Sequence, residues 1–347
     1  MSRIAILGAG AWGTALAIVL ARTSRHTVRL WSYEPEVRDS ISAKRENSLY
    51  LPGFNIPSGV TATNSLAEAL ESSEIVVSVM PSNHCRSIFE QALPYLAPQA
   101  FVVSATKGIE KNSHLRMSEV VREVLRGSKG LEPRVGALSG PTFAREVAKG
   151  DPTAITIASA DRELAQVVQR EFSDPSFRVY TNDDITGVEL GGALKNVIAI
   201  AAGICSGLEL GHNSVAALIT RGLAEMTRLA VACGGRPETL AGLSGLGDLV
   251  LTCTGSLSRN RSVGLELGRG HKLPEIVVNL HGAVAEGVLT IDAALGLAHR
   301  NRVEIPIIEQ MYEILQNGKS PQAAIQELMS RRATSEMELS RDGGSRL

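Results

Sequence analysis

Three glycines close to the N-terminus have the spacing of a dinucleotide-binding loop. Gly8, Gly10 and Gly13 lie in the run GAGAWG, between a short apolar segment that predicts a strand and a pattern that predicts a helix. In that setting the first glycine permits a tight turn, the second lets the backbone approach a pyrophosphate, and the third lets the helix pack on the strand. The N–H groups that open the helix would attract the pyrophosphate charge. The pattern therefore predicts a bound dinucleotide, although a tight turn alone would also need glycines.

The residues after the second predicted strand bear on which dinucleotide is bound. An Asp or Glu directly after this strand typically binds the ribose hydroxyls of NAD and excludes the 2′-phosphate of NADP. Here Trp31 is followed by Ser32, Tyr33 and Glu34, so no acid directly follows the strand. Ser32, Tyr33 and Arg38 could accept a phosphate, whereas Glu34 is close enough to oppose one. The balance of these residues leans toward NADP.

Lys195 lies on a helical pattern with very small neighbours. Gly191, Gly192 and Ala199 stand at the three- and four-residue spacings that share one face of a helix with it. A bulky group could therefore approach this face. The alternative is that the glycines serve helix packing and that Lys195 is solvated.

Two further segments carry residue types that bind phosphate. Ser258, Arg259 and Asn260 come directly before a helical pattern, so a hydroxyl, a guanidinium and an amide converge on a helix N-terminus. The alternative is an ordinary Ser258 N-cap followed by a surface arginine. Lys107 follows a predicted strand at the end where open α/β sheets bind ligands, although a loop lysine is often only solvated.

The chain as a whole resembles the bacterial NAD(P)-dependent glycerol-3-phosphate dehydrogenases. The resemblance covers nearly the whole length, and it rests on segments that occur in the same order in the family. They are GAGAWGTALA at the start, LPG at 51–53, SATKGIE at 104–110, SGPTFAREVA at 139–148, GVELGGALKNVIAIAAG at 187–203, GLGDLVLTCTGSLSRNRSVG at 245–264 and VAEGV at 284–288. Ordered matches across both halves are far more specific than any single motif.

The resemblance implies a role for each matching residue. Lys195 would be the acid/base on the substrate oxygen, and Asp248 and Lys107 complete the catalytic set. An Asp that follows glycines, as Asp248 does, is also common as a simple turn or cap residue. The implied substrate-binding residues are Lys107, Gly140, Thr142, Lys195, Asn196, Asp248, Ser258, Arg259 and Asn260. The implied cofactor-binding residues are Gly8, Gly10, Ala11, Trp12, Gly13, Tyr33, Tyr50, Lys107, Ala144, Arg259, Val284 and Glu286.

Two positions depart from the usual family pattern. Ala11 stands where the family often has Ser, which removes one hydroxyl contact to phosphate but leaves the backbone N–H groups. Tyr33 stands where the family often has a basic residue, which weakens the inferred preference for NADP.

The activity implied by the resemblance is reversible hydride transfer between NAD(P)H and dihydroxyacetone phosphate, which yields sn-glycerol 3-phosphate for glycerophospholipid synthesis. Lys195 would give a proton to the developing alkoxide. The family also leads us to expect a homodimer. No metal ion is expected, because a proton donor suffices and the histidines lack ligand spacing.

Three other functions remain open. A ketopantoate reductase has the same two-part design, and Arg259 could clamp its carboxylate substrate, but the Ser258 to Asn260 cluster favours a phosphate ester. A redox-sensing module would bind NAD(P) without catalysis and would not need a lysine beside small residues. A helical partner-binding protein with a vestigial sheet is opposed by the intact site motifs.

Composition and charge exclude several classes of partner. The 347 residues carry a formal net charge of −1 with no long run of either sign, which leaves no footprint for nucleic acid or an anionic membrane. Four scattered cysteines fit neither a zinc site nor a disulfide framework, so a reducing cytoplasm is expected. The apolar run at 4–21 is interrupted by glycines and Thr14, so we expect no stable membrane insertion there.

The hydrophobic patterns predict the elements that would hold these residues. Strands at 4–7, 28–31, 60–63, 75–79, 101–104, 135–138, 154–158 and 178–181 alternate with helices that include 14–21, 65–70, 113–125 and 161–172. Further helices are predicted at 186–206, 214–232, 261–268, 290–299, 307–316 and 321–331. The expected fold is α/β, with a doubly wound, Rossmann-type NAD(P)-binding domain at 1–183. An all-helical substrate-binding and catalytic domain, similar to the C-terminal domain of 6-phosphogluconate dehydrogenase, is expected at 184–332, and a disordered tail at 333–347.

Overall fold

The computed structural model of the chain describes residues 2–129, 133–279, 285–333 and 335–336. Most of the predicted tail at 333–347 therefore lies outside the described residues. The chain forms two compact units. The first comprises Met1–Lys107 and Met117–Ile185, and the second comprises Gly108–Arg116 and Thr186–Leu347.

An eight-stranded sheet forms the centre of the first unit, in the order β3-β2-β1-β4-β5-β6-β7-β8. Its strands are β1 (Ser2–Leu7), β2 (His26–Trp31), β3 (Val60–Thr63), β4 (Ile75–Ser78), β5 (Phe101–Ser104), β6 (Val135–Ser139), β7 (Thr153–Ala158) and β8 (Phe177–Asn182). Neighbouring strands are parallel except β6 and β7, which are antiparallel. Each predicted strand is present, and the predicted doubly wound, largely parallel sheet is confirmed.

Helices cover this sheet, which explains why its strands have continuous apolar sequences. The helices of the first unit are α1 (Ala11–Arg22), α2 (Pro35–Lys44), α3 (Leu66–Leu70), α4 (Cys85–Ala92), α5 (Met117–Lys129), α6 (Ala144–Lys149) and α7 (Arg162–Phe172). All residues of β4 are buried. Leu16 and Leu20 of α1 join Ile6 of β1 and Val77 of β4 in one hydrophobic core.

The helices of the first unit differ from the prediction in three respects. The first helix begins at Ala11, earlier than the predicted start at 14. The helix predicted at 113–125 is found at Met117–Lys129, because Ile109 and Arg116 pair in an antiparallel bridge that precludes helix before 117. Helices α2, α4 and α6 were not predicted, and in α2 only Val37 and Ile41 are buried, which leaves little apolar periodicity to detect.

Helices also build the second unit, as predicted. They are α8 (Ile185–Gly207), α9 (His212–Ala232), α10 (Pro237–Leu240), α11 (Asp248–Thr254), α12 (Arg259–Gly268), α13 (Leu273–Asn279), α14 (Glu286–Asn301), α15 (Pro306–Asn317) and α16 (Pro321–Ser330). Each of the six predicted helices is present with its ends shifted by a few residues. The short helices α10, α11 and α13 were not predicted, since four to seven residues are too few to show a helical period.

Helix α8 is the central helix of the second unit. It is long and apolar enough to cross a membrane. However, its apolar stretch is completely buried inside the structure, as in the core helix of a globular unit. Its backbone touches that of α12 directly. A Cβ atom added to Gly264 would lie 1.9 Å from the carbonyl oxygen of Ile200, and one added to Gly203 would lie 2.0 Å from the carbonyl oxygen of Arg261. Glycine at 203 and 264 therefore sets the distance between the two helices.

A buried carboxylate from α9 caps the N-terminus of α15. Glu225 is 2% exposed, and its Oε1 accepts a hydrogen bond from the Ile307 N–H at 2.8 Å. Its Oε2 accepts from the N–H groups of Ile307 at 3.1 Å and Ile308 at 3.3 Å. Burial raises the pKa of Glu225 to about 7 from its ordinary value of 4.5, although these hydrogen bonds act in the opposite direction.

This raised pKa makes stability depend on pH. Between pH 4.5 and about 7 the folded chain retains a proton that the unfolded chain has lost, so the contribution of Glu225 to the free energy of unfolding falls as the pH rises. Glu225→Gln cannot titrate, and we expect its stability relative to the parent to increase across this window. Urea unfolding of both proteins at several pH values measures the difference. A difference that does not change with pH would contradict the prediction.

Candidate active site

The glycine-rich loop joins β1 to α1 and is shaped by close backbone contacts. Gly8 has a φ of +123°, and a Cβ atom there would lie 2.5 Å from the carbonyl oxygen of Val79. A Cβ atom on Gly13 would lie 1.9 Å from the carbonyl oxygen of Gly8. By contrast, nothing lies within 4 Å of a Cβ position on Gly10, the N-cap of α1. The loop therefore has open space at Gly10, beside N–H groups at a helix start that suit a pyrophosphate.

Asn47 anchors this loop, and sequence reasoning missed it. Its buried Nδ2 donates to the carbonyl oxygen of Ala9 at 2.8 Å and to Oγ1 of Thr14 at 2.8 Å. Its Oδ1 accepts from the Tyr50 N–H at 3.1 Å. No local pattern marks Asn47, because its partners in the loop are more than thirty residues away in the chain.

The first unit also contains Ala11, Trp12, Tyr33 and Ala144 of the expected cofactor set. Ala11, Trp12 and Ala144 are partly buried against the core of the first unit, and the Trp12 ring centroid lies 6.5 Å from that of Phe177. Tyr33 is 78% exposed just beyond β2. Val284 lies outside the described residues.

A second group of expected residues meets at the carboxyl ends of β5 and β6, which are parallel neighbours. Lys107 follows β5, and its Nζ donates to the carbonyl oxygen of Gly140 at 3.3 Å. Thr142 Oγ1 donates to the same carbonyl oxygen at 3.2 Å. The structure thus brings Lys107, Gly140 and Thr142 together in the first unit.

The second unit holds a buried lysine and carboxylate in direct contact. Lys195 of α8 is 6% exposed, and its Nζ donates to Asp248 Oδ1 at 3.0 Å. It also donates to Thr252 Oγ1 at 2.7 Å, while that hydroxyl donates to the Asp248 carbonyl oxygen at 2.6 Å. A charged ammonium that is almost fully buried requires such partners. Lys195 is therefore not the solvated residue of the alternative interpretation.

Thr252 was not singled out from the sequence. It follows Asp248 by one helical turn on α11, so that both side chains share a face. That spacing is the signal that could have identified it. The hydroxyl proton of Thr252 is committed to the backbone, which leaves an oxygen lone pair for Lys195.

Small residues bring α11 close to Lys195. A Cβ atom on Gly191 would lie 2.6 Å from the carbonyl oxygen of Ser244 and 3.4 Å from the Cα of Gly245. The group that approaches this face of α8 is therefore the backbone just before Asp248. Gly191 does serve helix packing, and this packing is what carries Asp248 to the lysine.

A polar chain links Asn196 to the start of α14. Asn260 Nδ2 donates to Asn196 Oδ1 at 3.0 Å, and Asn260 Oδ1 accepts from the Gly287 N–H at 3.0 Å. Glu286, from the expected cofactor set, is the first residue of α14. One local network of the second unit thereby holds Asn196 and Asn260 beside the start of α14, where Glu286 lies.

The structure at the N-terminus of α12 agrees both with an ordinary N-cap and with a phosphate site, which are the two interpretations of the sequence. Ser258 is the N-cap, and its Oγ accepts from the Arg261 N–H at 3.2 Å. Arg259 is exposed at the first helical position. The Ser258 hydroxyl can still donate, so the capping bond leaves a hydroxyl and a guanidinium at a helix N-terminus.

Other chemistry near Lys195 is limited. Cys253 is buried, and burial raises the pKa of its thiol to about 12, which suits a packing residue and not a thiolate nucleophile. Within the part of the chain that the structure describes, no group of three His, Cys, Asp or Glu side chains is arranged to hold a metal ion.

Comparisons with known proteins identify relatives of both units. The family described as NAD-dependent glycerol-3-phosphate dehydrogenase N-terminus matches residues 3–165, and the corresponding C-terminus family matches residues 184–326. The chain is 66% identical over 337 residues to glycerol-3-phosphate dehydrogenase (NAD(P)+) of Koribacter versatilis, which covers 97% of this chain and 99% of the relative.

Solved structures extend these similarities. Glycerol-3-phosphate dehydrogenase from Coxiella burnetii matches with a TM-score of 0.89 at 43% identity, over 95% of this chain and 99% of that chain. A ketopantoate reductase from Ralstonia eutropha matches with a TM-score of 0.59 at 17% identity, over 93% of this chain and 99% of that chain. The second likeness is one of fold alone.

Proposed function

The chain belongs to the NAD-dependent glycerol-3-phosphate dehydrogenase family, and on that premise we propose that it transfers hydride reversibly between NAD(P)H and dihydroxyacetone phosphate. Reduction yields sn-glycerol 3-phosphate. The family resemblance drawn from the sequence is confirmed, and with it the assignment of the chain as an NAD(P)-dependent oxidoreductase. The assignment of roles to individual residues is our proposal.

The first unit is the cofactor-binding domain in this proposal. Gly8 and Gly13 allow the close backbone contacts of the loop, Gly10 leaves open space at the start of α1, and the α1 N–H groups would hold the pyrophosphate. When bound, the nicotinamide supplies or receives the hydride. Lys107 lies at the carboxyl edge of the sheet and would contribute positive charge near both cofactor and substrate. Ala11, Trp12, Tyr33, Tyr50 and Ala144 of this unit, with Arg259, Val284 and Glu286, complete the proposed cofactor set.

The buried cluster of Lys195, Asp248 and Thr252 is the observation that carries the proposal. As hydride reaches the ketone carbon, negative charge develops on the oxygen, and Lys195 Nζ gives it a proton. Asp248 and Thr252 hold Nζ from two directions and restrict where its N–H groups point. In the oxidative direction, neutral Lys195 takes the proton back from the hydroxyl.

Substrate recognition would depend on the phosphate. Ser258 and Arg259 offer a hydroxyl and a guanidinium at the N-terminus of α12, whose partial positive charge favours an anion. Gly140 and Thr142, with Asn196 and Asn260, complete the proposed substrate set. A phosphorylated ketone should therefore be strongly preferred over its unphosphorylated form.

Thr252→Val tests whether the hydroxyl of Thr252 positions Lys195 Nζ for proton transfer. Valine has nearly the same shape but no oxygen, so Lys195 Nζ loses a partner in a buried position, and we expect kcat to fall about tenfold or more. Thr252→Ser keeps the hydroxyl and serves as the matched control, with activity near that of the parent. Steady-state rates of NAD(P)H oxidation measure both. A valine variant as active as the serine variant would remove Thr252 from the mechanism.

The activity itself is tested by following NAD(P)H oxidation spectrophotometrically. Dihydroxyacetone phosphate, unphosphorylated dihydroxyacetone and ketopantoate are compared, each with NADH and with NADPH. Oxidation with only the phosphorylated ketone supports the proposal. Activity with ketopantoate alone would overturn it, and no activity with any substrate would favour a module that binds NAD(P) without catalysis.

The proposal also includes the metabolic role, the location and the assembly of the protein. In the reductive direction, the product would supply glycerophospholipid synthesis, in the cytoplasm. The homodimer expected from the family belongs to the same proposal. Light scattering coupled to size-exclusion chromatography tests the assembly, since a monomeric mass at micromolar concentration would contradict it.

A further inference from the structure

Glu34 occupies an unusual position just after β2. It is the N-cap residue of α2, yet its side chain makes no capping hydrogen bond to that helix. The carboxylate turns instead toward Ser32 and Tyr50. Ser32 Oγ lies 3.3 Å from Oε2, and Tyr50 Oη donates to Oε1 at 2.9 Å. Two hydroxyls from different segments therefore hold this carboxylate in one place.

That place is next to the glycine-rich loop. Trp31, the last residue of β2, pairs with Leu7 of β1, and its carbonyl oxygen accepts from the Gly8 N–H at 3.1 Å. The segment that carries Tyr50 is fixed to the same loop, because Asn47 binds both the Ala9 carbonyl oxygen and the Tyr50 N–H. Glu34 thus stands at the carboxyl end of β2, where Rossmann-type folds bind the ribose of the adenosine.

The groups that could attract a 2′-phosphate are engaged elsewhere. Ser32 Oγ lies 3.0 Å from the Glu34 carbonyl oxygen, so its hydroxyl is shared between two acceptors of the same residue. Arg38 Nε donates to Asp39 Oδ1 at 2.8 Å, and a guanidinium that already pairs with a carboxylate attracts a phosphate less strongly. The fixed charge nearest the end of β2 in this group is the negative charge of Glu34.

We propose that Glu34 makes this chain prefer NAD(H) over NADP(H). Its carboxylate accepts hydrogen bonds from the ribose hydroxyls of NAD(H), and it repels the dianionic 2′-phosphate of NADP(H). This inference rests on the proposed function and specifies its cofactor. It reverses the lean toward NADP drawn from the sequence, which counted Ser32 and Arg38 as phosphate ligands.

Nucleotide binding tests the inference without turnover. Isothermal titration calorimetry of the full chain, without substrate, compares NAD+ with NADP+, which differ only in the 2′-phosphate. We expect NAD+ to bind about tenfold tighter or more than NADP+, and this ratio should shrink as salt screens the repulsion. For Glu34→Gln, which keeps the size and one acceptor oxygen but removes the negative charge, the ratio should fall by about tenfold, and its salt dependence should weaken.

Two further variants distinguish the effect of the Glu34 carboxylate from the effect of removing any negative charge from this helix. Glu36→Gln removes an exposed carboxylate from the first turn of the same helix and should leave the ratio unchanged. Tyr50→Phe removes the hydroxyl that holds the carboxylate and should lower the ratio partly. The ratio of kcat/KM for NADH to that for NADPH, with dihydroxyacetone phosphate, should follow the binding ratio in each variant.

The outcomes are distinct. Equal or tighter binding of NADP+ by the parent, or a Glu34→Gln ratio equal to that of the parent, would overturn the role of Glu34 and leave the proposed dehydrogenase activity intact. Binding of neither nucleotide would overturn the premise that the first unit holds a dinucleotide, and the cofactor preference with it.

Discussion

Lys195→Met is expected to lower kcat for dihydroxyacetone phosphate reduction by about 10³-fold, the scale of a lost general acid. Methionine fills nearly the same volume but has no acidic proton to transfer, so the developing alkoxide has no proton donor at that position. The binding of NADH should stay close to that of the parent, because Lys195 is not among the residues proposed to bind the dinucleotide. Stopped assays of product formation, together with a fluorescence titration of NADH, measure the two effects separately.

Lys195→Met could lose activity because the proton donor is missing or because the protein is less stable, and these two effects must be distinguished. Removal of one partner of a buried pair typically costs about 3–5 kcal/mol, because the other charge is left unpaired. The double variant Lys195→Met/Asp248→Asn removes both charges, and we expect it to regain stability without regaining turnover. Lys272→Met, at an exposed lysine of the second unit, is the matched control and should keep full activity. Turnover by Lys195→Met within a few-fold of the parent would exclude the lysine as proton donor.

Gly264→Ala is expected to destabilise the second unit by about 3 kcal/mol or more, the upper range for overpacking. The added Cβ would lie 1.9 Å from the Ile200 carbonyl oxygen and 2.9 Å from the Cα of Gly203. Both neighbours are backbone atoms and cannot rotate away, so α8 and α12 must separate. Because Asn196 is on α8 and Asn260 is on α12, activity should fall together with stability.

Gly127→Ala provides the control for this substitution. Gly127 lies in α5 with nothing within 4 Å of its Cβ position, so alanine should leave stability unchanged or raise it by up to about 1 kcal/mol. Thermal unfolding and urea unfolding compare the two variants with the parent. If Gly264→Ala is as stable as Gly127→Ala, the close contact between α8 and α12 is not what sets their distance.

Patterns within a single segment were sufficient to predict the strands and most of the longer helices of this chain, whereas α2, α4, α6, α10, α11 and α13 were not predicted. Each predicted strand is present, because a strand buried on both faces must be apolar along its whole length. The glycine spacing was equally informative, since the positive φ of Gly8 and the contact of Gly13 with the Gly8 carbonyl oxygen arise within one strand, turn and helix. Ser258 as an N-cap is a local property as well. The family resemblance then connected these segments to one activity.

Contacts between distant segments were decided only by the tertiary structure. The partners Lys195 and Asp248 are 53 residues apart, and Glu34 and Tyr50 are 16 apart. The segment Gly108–Arg116 belongs to the second unit, although both flanking segments belong to the first. The direction of the Glu34 side chain depends on Tyr50, which no pattern around Glu34 contains. A hydrophobic period states which face of an element is buried, whereas the segment that covers that face is chosen by packing across the whole unit.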